Sequence, residues 1–322
     1  MIIHLPNTST AAIAKTLVTA RDEGGQVALG RVLTCVIATR DTSEEKVIEA
    51  ANDASREHPM RVIVVSRPVS SVSGEEDGLD AEIRLGGDAG ASEVLVLRPR
   101  GESAHHLPGL INGLLLPDAP VVSWWPEDCP PCLGDTPLGQ MSQRRIMDSQ
   151  SEADPLAILS AQASGYRPGD TDLAWARITG WRSQLAATLD ALGEIRVGTA
   201  TVKGYAGNPS VTLLAAWLAY CLGIEIVVDT DVPEGITGVY QVALEVSDGV
   251  VSLTRVDDNT ATLSQPDQPD FPIFLPRRGL PQLLAEELRL LAPDPVFGEV
   301  LVKGLPRVRG ISSTGASSEV TR

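Results

Sequence analysis

Two nearly continuous apolar runs, RVLTCVIATR (31–40) and MRVIVVSRP (60–68), bracket a stretch of helical character, TSEEKVIEAANDASREHP (42–59). A strand with one wet face alternates apolar and polar residues. These two do not, so each must be covered on both faces, as strands of a parallel sheet are. Two such strands joined by a helix predict a right-handed parallel crossover. That unit commits the chain to an α/β fold before any other residue is considered.

Further strands and helices follow. AEIRLGG (81–87), SEVLVLRPR (92–100), APVVSWW (119–125) and RRIMDSQ (144–150) read as further strands, and 69–80 as an acidic loop. Helices are predicted over 7–23, capped by Asn7-Thr8-Ser9 and stopped at Gly24-Gly25, and over 42–59 with Ser43 as cap. A helix broken early by Pro108 is expected over 103–116, and one opened by Asp154-Pro155 over 154–164. A first domain therefore spans 1–165. In the second, 166–308, a helix is expected over 170–193, where Ile178, Trp181, Leu185, Leu189 and Leu192 form one stripe. A strand follows over 194–204. Then come a helix from Asn208 as N-cap to Gly223 as stop, a buried strand at 224–229, and a β-hairpin over 238–256 turning at Asp248-Gly249. Two C-terminal helices are joined at Pro293. The tail 309–322 lacks apolar periodicity and reads as disordered. The fold class is thus two α/β domains with mixed sheets, the second with a hairpin and C-terminal helices.

Lys and Arg number 26 against 42 Asp and Glu, a formal charge of −16. Nucleic-acid affinity rests on basic side chains displacing counterions, so nucleic acid is not an expected partner. The basic runs are pairs only, Arg144-Arg145 and Arg277-Arg278. The longest apolar run, near 211–222, is too short to cross a bilayer. The N-terminus has no signal-peptide pattern, and four cysteines fit a reducing, cytoplasmic setting rather than a disulfide framework.

Chemical motifs are sparse. Cys129-Pro-Pro-Cys132 follows a strand and invites a redox reading. A reactive dithiol needs its first cysteine at a helix N-terminus, whereas Leu133-Gly-Asp-Thr-Pro begins no amphipathic helix. Zinc needs four ligands. His105-His106 could join the two cysteines, but neighbours on a helix diverge by about 100°, and a flexible connecting loop is the simpler reading. Glycines in KGYAGNPS (203–210), between a strand and a helix, suit an anion but match neither phosphate-loop spacing. LGGDAGAS (85–92) is weaker still. No nucleophile elbow, HExxH motif or convergent set of acid–base residues is present in the sequence, so no catalytic residue, cofactor or metal is expected.

Four segments in order carry a resemblance: GLLLPDAPVVSWW (113–125), DLAWARITGWRSQLA (172–186), LLAAWLAYCLG (213–223) and EELRLLAPDPVFGEVL (286–301). Together they resemble the bacterial glucose-6-phosphate dehydrogenase assembly protein family, OpcA, over nearly the whole chain up to about residue 303. The resemblance implies a non-catalytic partner that binds glucose-6-phosphate dehydrogenase, promotes its active oligomer and supports NADPH supply through the oxidative pentose phosphate pathway. It brings no catalytic residues to this sequence. Interface anchors tend to be Trp, Tyr and Arg, which makes Trp124, Trp125, Trp175, Arg177 and Arg182 the candidates. Trp181 and Trp217 fit the core. Cys129 and Cys132 form a possible redox pair within the loop. A sugar-phosphate- or nucleotide-binding enzyme or sensor using the Lys203–Ser210 turn is the alternative.

Overall fold

The computed structural model describes residues 1–23, 30–69, 76–86, 93–193 and 196–310. The glycine stop at 24–25, most of the LGGDAGAS segment and residues 311–322 of the tail lie outside them. The chain is an α/β protein of two compact units. Unit 1 comprises Met1–Asp148, Arg167–Thr171 and Gly279–Pro293; unit 2 comprises Ser149–Tyr166, Asp172–Arg278 and the remainder from Asp294. Neither is one continuous segment, whereas the sequence reading drew a single boundary at 165.

Unit 1 is built on β1 (Ile2–Leu5), β2 (Leu33–Arg40), β3 (Met60–Arg67), β4 (Gly78–Arg84), β5 (Glu93–Arg100), β6 (Val121–Trp125), β7 (Arg144–Met147) and β8 (Asp170–Asp172). The sheet order is β1-β4-β5-β3-β2-β6-β7-β8. Pairings β5–β3, β3–β2, β2–β6 and β6–β7 are parallel, while β4 and β1 add antiparallel at one edge. As the apolar runs predict, β2 and β3 are buried along nearly their whole length. The α-helices among the described residues are α1 (Thr10–Glu23), α2 (Glu44–Ala54), α3 (Leu107–Ile111), α4 (Pro137–Gln140) and α9 (Leu280–Arg289) in unit 1, and α5 (Pro155–Gly165), α6 (Leu173–Arg177), α7 (Thr179–Leu192), α8 (Pro209–Leu222) and α10 (Pro295–Glu299) in unit 2. Late in sequence, α9 nevertheless packs against α2. Its Glu287 accepts a hydrogen bond from buried Arg144 of β7, and Arg144 also donates to the Ala292 carbonyl at 3.0 Å. Arg145 pairs with buried Asp170 of β8. The basic pair is therefore internal structure. At the start of β5, Glu93 is fully buried among Arg21, Arg31 (2.8 Å) and Arg61 (3.3 Å).

Unit 2 holds β9 (Thr199–Gly204), β10 (Ile226–Asp229), β11 (Val239–Val246), β12 (Gly249–Arg255), β13 (Thr260–Ser264), β14 (Phe271–Phe274) and β15 (Val308–Arg309), ordered β14-β13-β12-β11-β9-β10-β15. Pairs β9–β10 and β10–β15 are parallel and the rest antiparallel. The expected hairpin is β11–β12, with Val246 opposite Gly249 and the turn one residue earlier than expected. It continues into β13 and β14, which the sequence reading missed, and β15 occupies the first residue assigned to the tail. Asn208 caps α8 by accepting from the Ser210 and Val211 amides, and Gly223 ends it in the left-handed region. Asp154 caps α5 as predicted. The single helix expected over 170–193 is instead β8, α6 and α7. Asp172 caps α6 through the Ala174 amide at 2.8 Å, and Ile178 interrupts the helical run.

Candidate functional site

Open α/β sheets bind ligands beyond the carboxyl ends of their strands, where the strand order reverses. In unit 1 the reversal falls between β2 and β6. From β2 the chain steps outward to β3 and β5, then returns to the other side with β6 and β7. The crevice is bordered by Thr39 and Arg40 at the end of β2, by Asp41–Ser43 leading into α2, and by the segment after Trp125.

That crevice is filled from within. One oxygen of the Glu127 carboxylate accepts from the Thr39 hydroxyl at 2.9 Å and the Arg40 amide at 3.0 Å; the other accepts from the Ser43 hydroxyl at 3.1 Å. Arg40 pairs with the neighbouring Asp128, whose φ is +51°. Ser43 makes no side-chain cap on α2; its hydroxyl donates to Glu127 instead. A carboxylate thus stands where the amide groups and dipole at a helix N-terminus would hold a phosphate. Nothing in the local sequence advertised Glu127, since its partners are more than eighty residues away in the chain.

The Cys-Pro-Pro-Cys segment continues from Glu127. Cys129 is buried and its thiol donates to the Trp125 carbonyl at 3.6 Å, whereas Cys132 is half-exposed. After Cys132 comes one three-residue turn, Leu133–Asp135, and then α4, capped by Thr136 through the Gly139 amide at 2.9 Å. With Leu133 and Leu138 in the core, this is a packed connection, contrary to the flexible loop expected. Among the described residues no group of three or more His, Cys, Asp or Glu is placed to hold a metal; the side chain of His105 lies outside those described.

The tryptophans named as anchors point inward. Trp124 is 0% exposed, Trp125 4% and Trp175 2%. The first two leave β6 on opposite faces, and both faces are covered. Trp175 donates its indole N–H to Asp294 at 2.9 Å and lies 5.6 Å from Phe297, with Arg182 3.5 Å above its ring. Arg177 and Arg182 are half-buried.

In unit 2 the Lys203–Ser210 turn splits into two parts. Lys203 pairs with Asp229 at 2.7 Å, which raises the lysine's pKa and lowers that of the aspartate. Gly204 has no room for a Cβ, which would strike Val211 and the Gly238 carbonyl. Gly207 sits at φ +73°. These glycines serve close packing and the turn. Asn208 and Ser210 instead border a cavity of about 220 Å³ lying wholly within unit 2.

The class defined by these observations is a two-unit α/β protein, each unit with its own mixed sheet, and with a carboxylate of its own in the crevice of the first. Residues 51–164 match the N-terminal domain, and residues 168–301 the C-terminal domain, described for the glucose-6-phosphate dehydrogenase subunit. The chain belongs to the OpcA family of glucose-6-phosphate dehydrogenase assembly proteins. Compared with individual curated proteins, it gives no match.

Proposed function

We propose that this chain acts by docking: it binds glucose-6-phosphate dehydrogenase as a non-catalytic partner and favours the active oligomer, sustaining NADPH formation. The observation that carries the reading is the succession of both family domains along one chain. The Glu127 carboxylate seated in the unit 1 crevice supports it, because a phosphate entering there would have to displace an anion held by three hydrogen bonds.

An activator shifts an equilibrium only by preferring one state of its partner. A tenfold preference requires about 1.4 kcal/mol of differential contact. The buried tryptophans do not offer that contact. Two of the three phenylalanines in the chain do, with Phe271 63% and Phe274 74% exposed on the edge strand β14. Pro272 between them withholds an N–H from that edge and guards it against strand addition, so recognition there runs through side chains.

The test mixes the purified chain with the dehydrogenase from the same source and follows NADPH formation and co-elution on size exclusion. A shared peak and a raised rate are expected, both diminished by a Phe271→Ser, Phe274→Ser double variant. Separate peaks with an unchanged rate would refute the docking role. Full activation by the double variant would move the contact elsewhere.

A further inference from the structure

Three arginines of unit 1 converge on one carboxylate, in a chain whose acids outnumber its bases by 42 to 26. Glu93, the first residue of β5, meets Arg21 at 2.5 Å, Arg31 at 2.8 Å and Arg61 at 3.3 Å. The arginines come from the last turn of α1, the segment before β2 and the start of β3, so the fold gathers them from separate parts of the chain. Among the described residues, Glu93 is the one carboxylate that pairs with any of them. We propose that this cluster is a binding site for a phosphate group, either the free ion or a small phosphomonoester.

Three guanidinium charges against one carboxylate leave two in excess, in a cluster largely withdrawn from water. A charge stripped of water is kept ionised by an opposite charge at close range, and Glu93 can match only one of the three. Burial holds the Arg31 and Arg61 guanidiniums below their ordinary pKa; Glu93 opposes that shift, and repulsion from Arg21 adds to it. The hydrogen bonding is incomplete in the same place. Arg21 gives its Nη2 to both oxygens of Glu93, at 2.7 and 2.5 Å, and Arg31 approaches through its own Nη2. The Nε–H groups of both are buried without an acceptor. So is that of Arg61, which lies 3.3 Å from Glu93 but is not aligned for a hydrogen bond. Arg61 also donates to the Leu114 carbonyl, which satisfies a hydrogen bond and leaves the cationic charge in place. Buried donors are paired in the great majority of native structures, and an anion beside Arg21 and Arg31 would supply both the acceptor and the charge.

Exposure ranks the cluster from a sealed end to an open one: the side chain of Glu93 is 0% exposed, Arg61 7%, Arg31 14% and Arg21 28%. A ligand therefore enters beside Arg21 and Arg31, with Glu93 behind them. Charge and shape select it. A phosphate group carries close to two negative charges above its second pKa of about 6, which matches the excess of two, whereas a single carboxylate would cancel only one. Guanidinium forks match phosphate oxygens in pairs, and forks arriving from different elements suit a tetrahedral group better than a planar one. With so little of the arginines open, the cluster holds the phosphate head and leaves any organic remainder in solvent.

The experiment needs no dehydrogenase, so its failure is distinct from failure of the docking role. The full chain is titrated by calorimetry with inorganic phosphate, with glycerol 3-phosphate and with acetate, at fixed ionic strength and a pH well above the second phosphate pKa. Saturable binding of both phosphates at one shared site is expected, with acetate at least tenfold weaker; the tighter of the two phosphates tells the free ion from the ester. Arg21→Gln and Arg31→Gln should each weaken phosphate binding at least tenfold, with circular dichroism reporting that the variants are folded. Arg21→Lys keeps a cation beside Glu93 but loses the fork, and should weaken binding severalfold even if the glutamine variants do not fold. Phosphate should also raise the thermal midpoint of the wild type and leave that of Arg21→Gln unmoved. In a purely structural cluster the substitution would lower the midpoint equally with and without phosphate. The proposal is overturned if neither phosphate binds saturably, if binding survives the arginine changes, or if acetate binds as tightly as phosphate.

Discussion

Trp175 separates a core role from an interface role. Its ring is 2% exposed, stacks at a tilt on Phe297, lies beneath Arg182, and donates to an Asp294 oxygen at 2.9 Å. The other oxygen of Asp294 accepts from the Val296 and Phe297 amides and so starts α10. Trp175→Phe keeps most of the apolar contact and removes one hydrogen bond to a charged group, a loss of about 1.5–3 kcal/mol. Trp175→Ala adds the cavity and should cost about 3–5 kcal/mol, a large share of the 5–15 kcal/mol typical of a domain. Asp294→Asn keeps an N-cap of equal rank and should cost about 1 kcal/mol. Coupling between Trp175→Phe and Asp294→Asn, read from a double-mutant cycle, isolates the indole–carboxylate bond. Urea unfolding followed by far-UV circular dichroism is the appropriate assay, because the substitution removes a fluorophore. With two units present, the transition of unit 2 is fitted on its own. Co-elution with the dehydrogenase is then measured where each variant is folded, and is expected to survive. A cost below about 0.5 kcal/mol for Trp175→Phe together with loss of the dehydrogenase would refute the core assignment and restore Trp175 as an anchor.

Replacing Glu127 with alanine leaves the Thr39 and Ser43 hydroxyls and the Arg40 amide without their acceptor, and should lower the stability of unit 1 by about 1–3 kcal/mol in the same urea assay; an unchanged midpoint would show that water serves those donors equally well. Alkylation with iodoacetamide at pH 8, mapped by mass spectrometry, should mark half-exposed Cys132 ahead of buried Cys129 and Cys35. Burial pushes the Cys35 thiol up to about 12, so almost none of it is thiolate at that pH, and labelling of Cys35 in the folded chain would contradict its place in β2.

What could be read from the sequence was whatever is local. Unalternated apolar runs announced β2 and β3, and side-chain caps followed by proline announced α5 and α8, because each depends on residues within a turn of one another. The missed elements are those whose stability comes from partners far along the chain. β1 is half-exposed and is held by its pairing with β4, and β15 has two residues paired with β10. Ile178, Trp181 and Leu185 of the expected stripe are buried, but Asp172 starts a separate α6 ahead of α7. Trp124 and Trp125 looked like a choice between inside and outside. The sheet closes both faces at β6, and the five-residue strand carried no sign of what covers it.

The arginines show the same limit more sharply. Sequence gives a charge total and adjacent pairs, and from those Arg144-Arg145 and Arg277-Arg278 look alike. In the fold the first pair meets Glu287 and Asp170, both nearly fully buried. Stripping water from a charge costs several kcal/mol per ion, so a partner of opposite sign at close range is what keeps such a group ionised inside. Arg277 differs in that respect, because the carboxylate it meets, that of Asp258, is exposed. Alanine in place of Arg144 would take a buried cationic partner from Glu287 in unit 1, whereas alanine in place of Arg277 would release Asp258 to solvent. Arg144 is thus a brace inside one unit and Arg277 a surface pair in the other, and the location of the matching carboxylate tells them apart.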